Sequence, residues 1–389
     1  MNNINQPNSV GLVKTQYYTF AEEQKLKLVS GKELGPVTIA YETYGKLNSK
    51  KSNAILILHA LSGTAHAAGY NTPEDKRPGW WDAYIGPGKA FDTEKYFVIS
   101  SNIIGGCNGS TGPSSINPET GKPYALSFPL VAVQDMVEAQ RYLIDYLEID
   151  KLLAVAGGSM GGMQALSWAI QYPERINSVI ALATSFLVSA QGIAFNEVGR
   201  QAIMTDPNWS KGDYYGKTNP SVGLALARMI GHITYLSEVH MHEKFGRNYQ
   251  IDNDDAFSFD AEYMVGSYLK YQGSKFVDRF DANSYLYITR AIDLFDLRKN
   301  QDENLLEVFE NTQSDFLIAS FSSDWLYPSL MSKDIVKALR ASGKNVTYID
   351  IESEKGHDSF LLESKTLEAN IENFLKSEFS KVNGSNSSR

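Results

Sequence analysis

Leu152-Leu153-Ala154-Val155-Ala156-Gly157-Gly158-Ser159-Met160-Gly161-Gly162-Met163-Gln164 is an apolar run, a G-x-S-x-G turn and the opening of a helix. An apolar run of this length, bounded by turn residues, suits a strand buried on both faces. A strand-to-helix turn this sharp crowds the backbone, so small residues are needed at 157 and 161, and it presents the serine hydroxyl at a helix N-terminus. Ser159 is therefore the candidate nucleophile, and the Met160 amide can point at an oxyanion developing beside it. A glycine-rich packing turn would also account for G-x-S-x-G alone; the setting between strand and helix favours the nucleophile.

Outward from this turn, short β-rich runs at Val37–Tyr41, Ala54–Leu58, Tyr96–Ser100, Val179–Ala183, Phe316–Ser320 and Val346–Ile351 alternate with amphipathic stretches. A helix over about Leu130–Leu147 places Val133, Met136, Val137, Gln140, Tyr142, Leu143 and Tyr146 near one face, just before the strand at Leu152. Strand–helix alternation of this kind predicts a doubly wound, mostly parallel sheet. From Ser185 to about Thr312 the strand signal gives way to helical segments carrying Arg228, Tyr235, His240, His242, Tyr263, Tyr268 and Tyr271. That stretch reads as a helical lid (185–312) inserted into a core made of residues 1–184 and 313–389. The serine turn, the parallel sheet and the inserted lid together specify the α/β-hydrolase fold. The Ser- and Asn-rich tail, Ser380–Arg389, reads as disordered.

That fold predicts a chain order of serine, acid, histidine, with each residue just past the end of a strand. After Phe316–Ser320 comes Phe321-Ser322-Ser323-Asp324-Trp325-Leu326-Tyr327-Pro328, and after Val346–Ile351 comes Lys355-Gly356-His357-Asp358-Ser359-Phe360. Asp324 is thus placed to fix the His357 tautomer, and His357 to relay the serine proton. A turn carboxylate and a loop histidine are the bland readings, but the two falling in this order by coincidence is disfavoured. Asp315 starts its strand and so belongs at the wrong end of the sheet. The second oxyanion donor is expected in the loop after Ala54–Leu58, His59-Ala60-Leu61-Ser62-Gly63-Thr64-Ala65-His66, with Leu61 as its amide; a strand-terminating turn with a buried leucine stands equally open there.

Composition excludes several other classes. Acidic residues outnumber basic ones 45 to 36, for a net charge of −9 without a Lys/Arg block, so neither nucleic acid nor an anionic membrane is an expected partner. The apolar runs are of strand length, far below the ~20 residues of a membrane-spanning helix. Met1–Tyr18 has no apolar core of a secretory signal, and a cytoplasmic location is the default. The lone cysteine, Cys107, forbids an intrachain disulfide or a cysteine-built metal site, and in Gly105-Gly106-Cys107-Asn108-Gly109 it reads as a small packed residue. No glycine pattern matches a phosphate loop or dinucleotide fingerprint. His240 and His242, two apart, would lie on opposite sides of a helix, so no metal site is expected.

His59-Ala60-Leu61-Ser62-Gly63, Gly105-Gly106-Cys107 through Gly112-Pro113, Gly157 through Gln164, Ser323 through Pro328 and Gly356-His357-Asp358-Ser359-Phe360-Leu361 resemble the homoserine O-acetyltransferase family, over about residues 17–375. The resemblance implies an enzyme of methionine biosynthesis. It would take acetyl from acetyl-CoA onto serine and then onto L-homoserine, as a homodimer joined through its lids and without a permanently bound cofactor. In the family's lid an Arg is followed seven residues later by a Tyr. Arg228 and Tyr235 match this, so the resemblance implies that Arg228 meets the homoserine carboxylate with Tyr235 nearby. The acid after the catalytic histidine is matched by Asp358, which would take the ammonium; one cation and one anion suit a zwitterion. Ser62 and Ile104 stand where many members carry other small or apolar residues. A succinyl donor, a serine acceptor and an esterase on the same fold are the alternatives, and a charged clamp is what an esterase has no need for.

Overall fold

The computed structural model describes residues 4, 6–250, 258, 262–298 and 302–384. Eight strands form the main sheet: β1 Gln16–Phe20, β2 Val37–Tyr44, β3 Ala54–Leu58, β4 Phe97–Ser101, β5 Leu152–Gly158, β6 Ile176–Leu182, β7 Asp315–Phe321 and β8 Val346–Ile351. Their spatial order is β1-β2-β4-β3-β5-β6-β7-β8. β1 pairs antiparallel with β2, and β2 antiparallel with β4; all other neighbours are parallel. The order reverses between β3 and β4, so the loops after β3 and β5 leave the same end of adjacent strands at a topological switch, where sheets of this class hold their ligands.

Helices α1 Val133–Tyr146, α2 Met160–Gln171 and α9 Ser329–Ala341 cover one face of the sheet. The other is covered by α10 Lys365–Gly384 and by Trp81, Tyr84 and Phe91. β3 shows why its run is uniformly apolar: Ala54, Leu56 and Leu58 point into the first layer, Ile55 and Ile57 into the second, and all are fully buried. Between β6 and β7 the chain builds α3 Ala190–Met204, α4 Ser221–Tyr235, α5 Glu238–Phe245, α6 Met264–Val277, α7 Ala282–Asp293 and α8 Leu305–Phe309. Among the described residues this stretch adds no strand to the sheet, only isolated bridges at Leu187–Asp296 and Tyr249–Tyr263.

Several expectations are corrected. β1 carries no strong apolar signal because it is an edge strand with three of its five residues exposed. β2 runs three residues beyond Tyr41 because the buried Glu42 carboxylate is satisfied by Thr15 Oγ1 (2.8 Å), Asn71 Nδ2 (2.9 Å), Tyr44 Oη (2.8 Å) and His66 Nδ1 (3.0 Å). Helix α1 starts at Val133, and Tyr146 is about half exposed, its ring stacked 4.1 Å from Tyr18. The C-terminal helix extends to Gly384, held by ion pairs of Lys381 with Asp315 and Glu378; residues 385–389 of the expected disordered tail lie outside the described residues. Among the described residues no helix is long and apolar enough to cross a membrane.

The turn at Ser159 depends on contacts that no side chain could share. A Cβ at Gly161 would stand 2.1 Å from the Leu58 carbonyl oxygen, and one at Gly157 would stand 2.6 Å from it. Gly161→Ala should therefore push α2 off the end of β3, lowering unfolding free energy by about 3 kcal/mol. Urea denaturation checks this; a midpoint equal to that of the unmodified protein would show the contact to be slack.

Candidate active site

Ser159 follows β5 and caps α2 with φ 57° and ψ −125°, a conformation that costs an L-residue on the order of 1–3 kcal/mol and persists only under constraint. The constraints are visible. The Ser159 amide donates to Leu182 O (2.9 Å), its carbonyl accepts from Thr184 Oγ1 (2.9 Å), and a Cβ at Gly158 would meet the Phe360 ring at 2.3 Å. The serine is half-buried and opens into a narrow cavity lined also by Leu61, Phe195, Tyr235, Leu326 and Tyr327. A larger cavity, about 960 Å³ and lined by Asn8, Trp80, Lys89 and Glu368, holds none of the candidate catalytic or substrate-binding residues.

Asp324 lies in the turn after β7, and His357 in the 3₁₀ turn Gly356–Leu361 after β8. The two loops are tied by Gly356 N donating to Ser323 Oγ (2.9 Å). Asp324 Oδ2 is 2.7 Å from His357 Nδ1, while Oδ1 accepts from the amides of Leu326 (3.0 Å) and Tyr327 (2.9 Å). Both side chains are buried, and the imidazole sits among Tyr327 (5.2 Å between ring centres), Phe360 (5.6 Å) and Tyr235 (6.1 Å). Burial alone would lower the His357 pKa; the Asp324 charge and hydrogen bond, with a smaller contribution from Asp358, outweigh it and raise it above 6.5. With Nδ1 committed to Asp324, Nε2 is the nitrogen left for chemistry. No hydrogen bond joins it to Ser159 Oγ among the described residues, a looseness common where no substrate is bound. Asp315 is the first residue of β7 and pairs with Lys381, at the far end of the sheet.

The loop after β3 is held from two sides. Gln164 of α2 donates to His59 O (3.1 Å) and accepts from Gln140 Nε2 (2.7 Å), and Gln140 Oε1 accepts from Trp168 Nε1 (2.9 Å), so a buried amide chain ties the loop to α1 and α2. At the loop's other end His66 binds Glu42, whose pKa burial would raise but which the hydrogen bonds of His66, Asn71 and Thr15 bring below its ordinary value. Leu61 lies between these anchors and lines the Ser159 cavity; Met160 opens α2, and among the described residues neither amide is given a hydrogen-bond acceptor. Cys107 is half-buried, and burial pushes its thiol up to about 12.

Arg228, in α4, stands 5.5 Å from the Tyr235 ring and 4.7 Å from Phe276, and Nη1 donates to Ser62 Oγ (3.3 Å). Asp358 follows His357, with its pKa raised by burial against the opposing pull of His357 and Arg228. Among the described residues neither Arg228 nor Asp358 has an ion-pair partner within 4.0 Å. Sequence reasoning missed Arg279, just past α6, which donates to Ser62 O (3.2 Å) and shares the Phe276 ring with Arg228 at 5.1 Å. It also missed His232, whose pKa burial pushes down to about 3 with help from Arg228, Arg279 and Lys244, leaving a neutral imidazole beside Tyr235. Neither has motif spacing; both depend on where the lid helices land. Among the described residues no group of three or more His, Cys, Asp or Glu could hold a metal ion, and His240 Nδ1 instead meets Lys355 Nζ (3.2 Å).

Strand order and the Ser159, Asp324 and His357 geometry define an α/β-hydrolase-fold protein, and the family model described as "alpha/beta hydrolase fold" matches residues 53–363. A homoserine O-acetyltransferase of Methanohalobium evestigatum is 59% identical over 94% of this chain and 74% of its own. The structure of homoserine O-acetyltransferase from Bacillus anthracis superposes with TM-score 0.87 at 32% identity, over 94% of this chain and 98% of that one. Esterase E22 is structurally similar too, with TM-score 0.85 and 31% identity over 94% of this chain and all (100%) of its own. The chain belongs to the homoserine O-acetyltransferase family.

A pH dependence follows from the imidazole's environment. His357 must be neutral to accept a proton, so kcat/KM should fall as pH drops through its raised pKa, with a midpoint above 6.5. Asp358→Asn removes one of the charges that raise it and should move that midpoint to lower pH. A pH–rate profile unmoved by the substitution would show that Asp358 does not reach the imidazole.

Proposed function

We propose that the protein transfers acetyl from acetyl-CoA to the hydroxyl of L-homoserine through an acetyl-Ser159 intermediate, giving O-acetyl-L-homoserine for methionine biosynthesis. One observation carries the reading: Ser159 lines a cavity whose Tyr235 and Tyr327 pack on His357, and beside it stand a cation, Arg228, over the Tyr235 ring, and an anion, Asp358, next to His357, that the described residues leave without counter-ions. A zwitterionic amino acid supplies both.

In the first half-reaction Ser159 Oγ attacks the thioester carbonyl carbon while His357 Nε2 takes its proton, and Leu61 and Met160 amides face the oxyanion. Collapse breaks the carbon–sulfur bond, and the departing CoA sulfur takes the proton from His357. In the second, the homoserine hydroxyl gives its proton to Nε2 and attacks the acetyl-serine carbonyl; collapse returns that proton to Ser159 Oγ and releases the ester. No permanently bound cofactor enters the cycle. Asp324 holds the tautomer and steadies the imidazolium. Arg228 binds the acceptor's carboxylate, with Tyr235 beside it, and Asp358 its ammonium, so that the alcohol outcompetes water.

The likeness to an esterase favours a second reading, hydrolysis of the same acyl-serine, and the clamp discriminates between them. Val222, Leu226 and Ile233 form an exposed apolar stripe on α4, which supports a homodimer through the helical insertion. The family's biosynthetic role supports a cytoplasmic location.

Initial velocities with both substrates should give parallel double-reciprocal lines, since CoA leaves before homoserine binds; intersecting lines would mean direct transfer in a ternary complex. Asp358→Ala should cost homoserine use about 100-fold or more in kcat/KM, the scale of one buried charge-assisted contact, while slowing CoA release without acceptor far less. Equal loss of the two half-reactions would remove its role as acceptor anchor.

A further inference from the structure

Tyr271, Lys275 and Arg279 follow one another at four-residue spacing, which makes them one stripe along α6 and its C-terminal extension. At 1.5 Å rise per residue the stripe spans about 12 Å. Its inner end touches the active site, because Arg279 donates to the carbonyl of Ser62, the residue after Leu61. At its outer end Lys275 Nζ stands 4.6 Å over the ring of Tyr271, which is 53% exposed. Lys76 and Arg77, exposed on the loop between β3 and β4, lie within electrostatic reach of this end. A hydrogen bond from Lys275, against the opposing effect of burial, brings the Tyr271 phenol below its ordinary pKa, with smaller contributions from the charges of Lys275, Arg77 and Lys76. Of the two acids that precede Lys76, Glu74 is exposed and Asp75 accepts from Asn71 N (2.8 Å) and Thr72 N (2.9 Å).

Four cations are thus gathered at one rim of an otherwise acidic protein of net charge −9. Among the described residues none of Lys76, Arg77, Lys275 and Arg279 has a carboxylate within 4.0 Å. Like charges gathered without counter-ions repel, and such a strip focuses attraction on a multiply charged anion. The acyl donor of the proposed reaction has that chemistry: a thioester at one end, a long neutral arm, and a nucleotide with three phosphate groups and a purine at the other. With its thioester carbonyl at Ser159 beside Leu61, the arm passes Ser62, where the stripe begins.

Building on the acyl-CoA reading, we infer that Lys76, Arg77 and Lys275 at the outer end bind the phosphates of the donor's nucleotide end, that Arg279 at the inner end borders the arm, and that Tyr271 offers its ring to the purine. This assigns the lid a donor-binding edge, separate from the acceptor clamp of Arg228 and Asp358. Exposed charges at the outer end can be reversed without disturbing the core.

The test compares acetyl-CoA with acetylpantetheine, which carries the same thioester and arm but no nucleotide, in wild type, Arg77→Glu/Lys275→Glu and Lys275→Arg. The ratio of kcat/KM for acetyl-CoA to that for acetylpantetheine should fall about tenfold or more in the double reversal, as two exposed charge pairs become repulsive, and should return in Lys275→Arg. The loss should lie in KM for acetyl-CoA, and added salt should lower the wild-type ratio more than the variant's. An equal fall with both donors would overturn the inference, as would a wild-type enzyme that uses acetyl-CoA no better than acetylpantetheine; both leave acyl transfer standing. Wild-type protein that transfers acetyl from neither donor would sink the acyl-transfer reading, and this inference with it.

Discussion

The site rests on the close approach of α2 to the end of β3. Leu58 O lies where a Cβ on Gly157 or Gly161 would have to stand, so the helix can begin immediately after the strand only if both positions are bare. That approach forces Ser159 into its positive-φ conformation and sets the helix's first amide, Met160, opposite the loop that leaves β3. The strain is local, on the order of 1–3 kcal/mol, and is offset by the buried layers on both sides of the sheet. Gln164 carries the constraint onward, since its amide fixes the His59 carbonyl at the start of the same loop. One backbone contact thereby orients the nucleophile and both candidate oxyanion donors.

A second organising feature is electrostatic. Asp324 is satisfied by three donors, two amides and an imidazole, so burying it costs little and His357 is held in one tautomer. Among the described residues Arg228 and Asp358 have no ion-pair partner within 4.0 Å, a state that the proposed zwitterionic acceptor would relieve. Burial already raises the Asp358 carboxyl, and an ammonium beside it would draw the value back down, so ligand affinity and the ionisation of this group are linked. Phe195 and Tyr235 of the helical insertion line the Ser159 cavity, so a stretch far from the serine in sequence borders the site.

How much of this was legible follows from the kind of signal each part carries. β3 and β8 match their apolar runs end to end because turn residues bound them on both sides. The positions of Ser159, Asp324 and His357 just past strand ends were readable because strand ends are local in sequence. β1 was not, since an edge strand with one wet face carries little apolar periodicity, and β2 appeared to stop at Tyr41 because a carboxylate follows; only the distant Thr15, Asn71 and His66 make Glu42 a core residue. Arg279 was invisible for a similar reason: its contact with Ser62 joins residues 217 positions apart, and nothing in its own neighbourhood announces it.

The central proposal is that Ser159 carries the acetyl group from the CoA thioester to the homoserine hydroxyl, with His357 as the one base for both half-reactions. Mass spectrometry of intact protein mixed with acetyl-CoA alone, followed by peptide mapping, reads this directly. The account predicts a single acetyl group on the peptide containing Ser159, stable enough to observe and cleared on addition of L-homoserine with O-acetyl-L-homoserine as the product. An adduct on Cys107, or an acetyl-serine that decays at the same rate with and without homoserine, would contradict it.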